Sequence, residues 1–113
     1  MLPHTNRLSK QEDFKGVFSQ RKTKHSHRLV IKKKSNNLPF SRFSVIISAR
    51  VIKGAVGRNR LRRQLNEILR LHLNRIKKSF DIILVVKSGL VDQKYNEIEK
   101  ILVGLLKENK LYV

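Results

Sequence analysis

The stretch from Lys53 to Leu73 reads K-G-A-V-G-R-N-R-L-R-R-Q-L-N-E-I-L-R-L-H-L. Within it and just beyond it, mostly apolar side chains recur at the spacing of one helical face. These positions are Leu61, Leu65, Ile68, Leu69, His72 and Ile76. The spacing predicts an amphipathic helix that ends near Ile76 and buries this stripe in the core, so the rest of the fold must supply a surface for it to cover.

The other side of this predicted helix is rich in arginine. At about 100° per residue, Arg63 and Arg70 lie nearly opposite the apolar stripe. Four arginines fall within the six residues 58–63, near the helix N-terminus, where the helix dipole favours carboxylates instead. A guanidinium group matches phosphate oxygens two at a time, and a helix N-terminus adds free N–H groups. The pattern indicates a phosphate-binding surface; the alternative is an ordinary solvated helix face.

The charge of the whole chain points to a polyanionic partner. The 113 residues include 26 Lys and Arg against 8 Asp and Glu, a formal net charge of +18. Nucleic acid is the first candidate partner and an anionic membrane surface the second. No apolar run approaches the roughly 18–20 residues of a membrane span, and the N-terminus lacks a signal-peptide hydrophobic region. With no cysteine for disulfides or thiolate zinc sites, we expect one cytoplasmic domain over residues 1–113.

The first half of the chain predicts one helix and two strands. Ser9 and Glu12 form a capping-box pattern for a helix that runs to about Gln20, after an irregular basic segment over residues 1–7. Val17 is expected in the core, whereas Phe14 and Phe18 on the same face suit either the core or base stacking. Strands are predicted at 27–33 and 42–49, and the short link between them favours an antiparallel hairpin.

The second half adds a strand and a helix. The apolar run from Phe80 to Lys87 is typical of a strand buried on both faces, and therefore central in the sheet. Asp92 is predicted to cap a last helix that ends near Asn109. The expected fold class is α+β: a two-layer sandwich with a small, mostly antiparallel sheet and three helices, in the order α-β-β-α-β-α.

The sequence shows no catalytic centre of its own. Its eight carboxylates are scattered, and neither a phosphate-binding glycine loop nor a nucleophile elbow is present. His25 and His27 have no third ligand nearby, so a metal site is not expected. For Asp81 and Glu67 we predict pairing with arginine.

Two motifs resemble a known family. The run A-V-G-R-N-R-L-R-R over residues 55–63 is similar to the R-N-R motif of the bacterial ribonuclease P protein subunit. Arg7-Leu8, Asp13-Phe14 and Val17-Phe18 resemble that family's R-L-…-D-F-x-x-V-F pattern. The motifs occur in the family's order, and the predicted elements match it over nearly the whole chain.

The resemblance implies a function and a mechanism. Ribonuclease P removes the 5′ leader of precursor tRNA, and its RNA subunit performs the hydrolysis with Mg²⁺ held by RNA and substrate rather than by protein side chains. The implied partners are that catalytic RNA subunit and precursor tRNA, with no membrane and no required protein partner. The family fold also implies a left-handed βαβ crossover, against the usual handedness.

The resemblance also assigns roles to individual residues, none of them catalytic or metal-binding. The residues implied to bind the RNA subunit are Arg50, Lys53, Arg58, Asn59, Arg60, Arg62 and Arg63. Those implied to bind the precursor leader are Phe14, Phe18, Lys32, Arg58 and Asn59. Asn66 and Val51 stand where the family often has basic residues. Lys32 stands at an often aromatic position, which favours a phosphate contact over base stacking there.

Three other functions compete with this interpretation. A basic ribosomal-type RNA-binding protein would share the charge but would need Phe14 and Phe18 only for its core. A major-groove DNA binder would require a helix-turn-helix pair, whereas predicted strands flank the arginine helix. A stand-alone nuclease would require more clustered carboxylates.

Overall fold

The computed structural model describes residues 2–9, 11–18 and 28–113. The helices are α1 (Gln11–Phe18), α2 (Ala55–Leu71) and α3 (Tyr95–Glu108), and the strands are β1 (Leu29–Ser35), β2 (Arg42–Ile46) and β3 (Phe80–Val86). Short 3₁₀ turns occupy His4–Asn6, Leu73–Arg75 and Ser88–Leu90. The α+β class and the element order α-β-β-α-β-α are confirmed. The predicted end of the first helix at Gln20, and the pair His25 and His27, lie outside the described residues.

The three strands form a mixed sheet in the order β1-β3-β2. β3 pairs antiparallel with β1, from Leu29 opposite Val86 to Ser35 opposite Phe80. It pairs parallel with β2, from Arg42 beside Asp81 to Ile46 beside Val85. The predicted central position of β3 is confirmed.

The predicted β1–β2 hairpin is wrong, because β3 lies between these two strands. The link over residues 36–41 instead crosses the end of β3, a distance of about 10 Å for two strand spacings. Asn36 N–H donates to the Ser79 carbonyl over 2.8 Å, and the Ser41 hydroxyl donates to the Lys77 carbonyl over 2.6 Å. An apolar β3 gains more by pairing on both edges than β1 and β2 would gain from a local turn. β2, α2 and β3 form a parallel βαβ unit, whose left-handedness stays a prediction.

The larger core lies between one face of the sheet and helices α2 and α3. The buried residues of α2 are Leu61, Leu65, Ile68 and Leu69, and those of α3 are Ile98, Leu102, Leu105 and Leu106. They pack on sheet residues that include Leu29, Ile31, Phe43, Ile82 and Leu84. The predicted apolar stripe of α2 is therefore confirmed over most of its length.

The helix α2 stops at Leu71, earlier than predicted, because His72 caps its C-terminus. The His72 ring hydrogen bonds through Nδ1 to the Tyr112 hydroxyl over 2.8 Å and through Nε2 to Glu99 Oε2 over 2.7 Å. His72 thus links α2 to α3 and to the C-terminal segment instead of continuing the apolar stripe. Ile76 is buried, but it lies beyond the helix.

The opposite face of the sheet carries α1 over a smaller cluster of Leu8, Val17 and Ile83. Val17 is fully buried, as predicted. The segment before α1 is more ordered than the sequence indicated. Leu8 N–H donates to the Phe43 carbonyl over 2.8 Å, and Leu2 is buried in the larger core. This segment therefore runs along the outer edge of β2.

Helix α3 begins later than predicted. Its N-cap is Lys94, and no side chain caps it. Asp92 has a φ of 67°, in the left-handed region that aspartate tolerates better than most residues, and it turns the chain before the helix. None of the helices in the described part of the chain is long and apolar enough to cross a membrane.

Candidate nucleic-acid interface

The N-terminal half of α2 and the loop before it carry a dense group of cations, which together with Asn59 is here called the α2 basic surface. Its members are Arg50, Lys53, Arg58, Asn59, Arg60, Arg62 and Arg63. All are exposed except Arg58 and Arg62, which are half-buried. The first turn of α2 contains no acidic residue, and its N-cap Gly54 makes no side-chain capping bond. Guanidinium groups and helix N–H donors thus share one end of the helix, an arrangement that favours an anionic partner.

Two arginines of this surface are held in place by local hydrogen bonds. Arg58 Nη1 donates to the carbonyls of Ile52 and Lys53, each over 2.8 Å. Arg62 Nη1 donates to Asn59 Oδ1 over 3.0 Å. Arg60 and Arg63, by contrast, have no hydrogen bond or ion pair within the described ranges. These two exposed guanidinium groups are therefore the ones most accessible to phosphate.

The C-terminal half of α2 differs, because its arginine is balanced by a carboxylate. Arg70 Nε donates to Glu67 Oε1 over 2.5 Å, confirming the predicted arginine partner of Glu67. The hydrogen bond from Arg70 lowers the pKa of Glu67, and the same bond raises the pKa of Arg70. The uncompensated positive charge of α2 is thus concentrated in its first half.

The sheet face beside α1, here called the groove, is only partly covered: Ser44, Ile46 and Val85 are half-buried, and a pocket of about 370 Å³ lies at its Asp81 end. Three rows of side chains cross this face by strand register: Val30–Val85–Ile46, Lys32–Ile83–Ser44 and Lys34–Asp81–Arg42. Phe14 is half-buried and packs against the cluster around Ile83. Lys32, also half-buried, lies beside Ile83 in the same row. The structure therefore places the predicted leader residues Phe14 and Lys32 on the same side of the sheet; Phe18 ends α1, and its side chain lies outside the described part.

The structure places Arg58 and Asn59 away from this groove. Helix α2 packs on the opposite face of the sheet from α1, and β2 is the strand at the edge between them. Residues 47–54 lead from the end of β2 round to α2. Phe14 and Arg58 therefore lie on helices that cover opposite faces of the sheet.

One end of the groove holds an ion pair that sequence reasoning predicted only in part. Arg42 donates to both carboxylate oxygens of Asp81, over 2.8 Å and 2.7 Å, and Asn36 Nδ2 donates to Asp81 Oδ1 over 2.8 Å. Asp81 is only 5% exposed. The predicted arginine partner of Asp81 is confirmed. The groove residues Ser44, Ile46 and Val85 were missed as site residues, because the sequence does not show which face of the sheet α1 covers.

The described residues offer no cluster suited to a metal ion. No group of three or more His, Cys, Asp or Glu side chains lies close enough together in the described ranges to hold one. Magnesium favours several oxygen ligands in an octahedral arrangement. Asp81, the most buried carboxylate near the groove, already accepts hydrogen bonds from Arg42 and Asn36. The described side chains therefore do not fit a protein-held Mg²⁺.

Comparison with known proteins gives the family. The family model described as Ribonuclease P matches residues 2–110. The chain belongs to the ribonuclease P protein family. The resemblance of its two motifs is thereby confirmed.

Individual members of the ribonuclease P protein family match along almost their full length. The ribonuclease P protein component of Alkaliphilus oremlandii is 39% identical over 106 residues, which span 94% of this chain and 92% of that protein. That of Alkaliphilus metalliredigens is 32% identical over 110 residues, 97% of this chain and 98% of that protein.

Solved structures of ribonuclease P proteins share the fold. The Thermotoga maritima RNase P protein superposes with a TM-score of 0.80 at 26% identity, covering 90% of this chain and 96% of that one. A mutant of the Staphylococcus aureus RNase P protein superposes with a TM-score of 0.87, covering 96% of this chain and 91% of that one. At 23% identity this second match bears on the fold alone.

Proposed function

We propose that this chain is the accessory protein subunit of ribonuclease P, which binds the catalytic RNA subunit and the 5′ leader of precursor tRNA. The observation that carries the proposal is the uncompensated charge of Arg60 and Arg63 on a helix of this family. In this role the protein works in the cytoplasm and assists removal of the leader, which yields the mature 5′ end of the tRNA.

The RNA subunit is assigned to the α2 basic surface. Its exposed arginines can each engage phosphate oxygens in a bidentate manner, whereas lysine would present a point charge. The bonds from Arg58 to the carbonyls of Ile52 and Lys53 fix the loop that carries Lys53, which lowers the entropy lost when RNA orders this region. Arg50 and Lys53 extend the same positive region beyond the helix.

The leader is assigned to the groove between α1 and the sheet. Single-stranded RNA is held by aromatic platforms and by cations that follow its backbone. Phe14 supplies the ring, Lys32 a cation, and Ile46 and Val85 a partly buried apolar floor. Phe18 is proposed as a second ring from the family pattern, and Arg58 and Asn59 as contacts where the leader passes the β2 edge.

The bond-breaking step is assigned to the RNA subunit. Mg²⁺ held by RNA and substrate would activate the attacking water and stabilise the leaving oxygen. The protein's own residues bind and orient: the α2 basic surface positions the RNA subunit, and the groove positions the leader relative to it. No membrane and no further protein partner is needed for this role.

Reconstitution tests the proposal directly. The protein is combined with a bacterial ribonuclease P RNA and a precursor tRNA at low Mg²⁺ concentration. We expect cleavage at the mature 5′ end when protein and RNA are both present, and much less with either alone. Tight RNA binding without any gain in cleavage would favour a ribosomal-type structural RNA-binding protein. Cleavage by the protein alone would overturn the assignment of chemistry to the RNA.

A further inference from the structure

A pocket of about 560 Å³ lies between the first half of α2 and the connection from β3 to α3. Its α2 wall consists of Gly57, Arg60, Leu61 and Gln64, which follow the i, i+3, i+4, i+7 spacing of one helical face. The facing wall is formed by residues 90–95. The pocket is separate from the groove, because α2 and α1 cover opposite faces of the sheet.

The floor of this pocket is apolar and firmly packed. Leu61, Leu90 and Ile98 line it, and each is at most 7% exposed. Gly57 permits the close packing at one end, since a Cβ there would lie 2.9 Å from Ile52 Cγ2. The turn at Asp92 directs the facing wall back toward α2. The concavity is therefore built into the fold.

The rim of the pocket is polar and partly aromatic. The α2 wall contributes exposed Arg60 and the Gln64 amide, and the facing wall contributes exposed Lys94, the Gln93 amide and the Asp92 carboxylate. Tyr95 contributes a half-buried ring. Burial raises the pKa of its phenol, and the nearby carboxylates of Glu99 and Glu67 raise that pKa further, so the hydroxyl stays a hydrogen-bond donor.

These groups match the parts of a nucleotide. An aromatic side chain and an apolar floor suit the faces of a base, and amide and carboxylate groups suit its hydrogen-bonding edge. Cations at the rim suit the phosphate. The volume falls in the range of roughly 300–1,000 Å³ that is usual for small-molecule sites. An acidic peptide would meet the Asp92 carboxylate without using the ring.

We propose that this pocket receives one unpaired nucleotide of the RNA partner, with its base beside Tyr95 and its phosphate at Arg60. This rests on the proposed function, in which RNA lies along the α2 basic surface. Arg60 belongs both to that surface and to the pocket rim, so an RNA strand that follows the surface passes the pocket mouth. A nucleotide turned into the pocket would fix the position of the RNA along α2.

A first experiment uses mononucleotides and needs no RNA subunit. The side-chain amides of Gln64 and Gln93 are followed by NMR while the four nucleoside 5′-monophosphates are added in turn. Ribose 5-phosphate, which lacks the base, is the matched control, and the Asn66 amide on α2 is an internal reference outside the pocket lining. We expect at least one nucleotide to shift Gln64 and Gln93 several-fold more than ribose 5-phosphate does. Equal chemical-shift changes from the nucleotides and from ribose 5-phosphate would overturn the pocket assignment, whether or not the protein binds the RNA subunit.

A second experiment uses a bacterial ribonuclease P RNA. Tyr95→Leu keeps apolar volume but removes the ring, and we expect it to weaken RNA binding roughly tenfold through lost stacking. Tyr95→Phe, which keeps the ring, should restore tight binding. Full affinity in Tyr95→Leu, or equal weakening in both variants, would overturn the proposed stacking. Failure of the pocket proposal can be distinguished from failure of the proposed function. If the proposed function is wrong, the double variant Arg60→Ala with Arg63→Ala would also leave RNA affinity unchanged.

Discussion

Arg58 donates a hydrogen bond of 2.8 Å to the carbonyl of Ile52, and the same Nη1 donates to Lys53 at the same distance. The side chain therefore fastens the loop before α2 to the first turn of the helix. Arg58→Ala should lower the free energy of unfolding by about 1–2 kcal/mol, since it removes two bonds from a charged donor. Urea denaturation measures this. Arg60→Ala is the matched control and should change stability by no more than about 0.5 kcal/mol; equal losses would contradict a special role of Arg58.

Arg60 and Arg63 should matter for RNA binding rather than for stability. Replacing both with alanine should weaken binding to ribonuclease P RNA and flatten the log–log salt dependence by about one unit for each lost phosphate contact. Affinity measured across a series of salt concentrations tests this. Arg70→Ala, on the same helix but paired with Glu67, is the control and should change the slope much less. An unchanged slope in the double variant would show that these two side chains do not touch phosphate.

Breaking the Arg42–Asp81 ion pair at the end of the groove should lower the free energy of unfolding strongly. Asp81 is almost fully buried and accepts hydrogen bonds from Arg42 and Asn36, so Asp81→Ala removes the carboxylate from a buried ion pair. We expect a loss of about 3–5 kcal/mol in the free energy of unfolding, measured by denaturation. Glu67→Ala breaks an exposed pair instead and should have little effect. Similar losses in the two variants would show that burial does not set the strength of the Arg42–Asp81 pair.

Replacing Phe14 should lower the affinity for precursor tRNA but not the affinity for mature tRNA. Phe14→Leu keeps apolar packing against Val17 and Ile83 but removes the aromatic face. Precursor affinity of the holoenzyme should fall roughly five- to tenfold, while affinity for mature tRNA stays the same, because in the proposed function only the precursor places unpaired bases in the groove. Phe14→Ala with Phe18→Ala should enlarge the effect if the fold persists. Equal losses of affinity for precursor and mature tRNA would show that the Phe14 and Phe18 rings serve only in the core.

Tyr95 should titrate above the usual pH of a tyrosine. The chain has two tyrosines and no tryptophan, so a Tyr112→Phe variant leaves one phenol to follow by ultraviolet absorbance. Burial raises the pKa of Tyr95 above 10.0, and the folded state therefore holds this proton more tightly than the unfolded state. Its contribution to stability is present below pH 10 and is lost as pH rises through the higher folded pKa. A midpoint at or below 10 would contradict the half-buried position of the ring.

Local patterns predicted the elements well, but not the partners of the strands. The apolar spacing of α2 and the continuous apolar run of β3 correctly indicated a helix on a sheet with β3 in the middle, because both are properties of neighbouring residues. The order β1-β3-β2 depends on which distant strand forms the better hydrogen-bonded pair. The short link between β1 and β2 therefore does not show that these two strands pair with each other. Similarly, the residue after α2, His72, has side-chain partners in Glu99 and Tyr112, which lie far along the chain.

In the predicted site, too, residues close together in the chain could be found from sequence, whereas residues brought together by packing could not. The arginines of α2 could be found from sequence, since four of them fall within residues 58–63 of one helix. That Phe14 and Lys32 share a groove, and that Arg58 lies round the β2 edge from them, follows from helices packing on both faces of the sheet. The pocket beside Tyr95 combines residues from two distant segments, 52–64 and 90–98, which no local pattern could join.

The central strand β3 follows β1, β2 and α2 in the sequence. During synthesis on the ribosome, neither edge strand has its pairing partner until residues 80–86 have emerged, and α2 has no complete sheet to cover. The arginine-rich α2 is therefore synthesised before the strand that completes the sheet beneath it. Folding must await late, long-range pairing, which is slow compared with local hairpin formation. A break in the chain between α2 and β3 would leave an N-terminal fragment with no sheet at all.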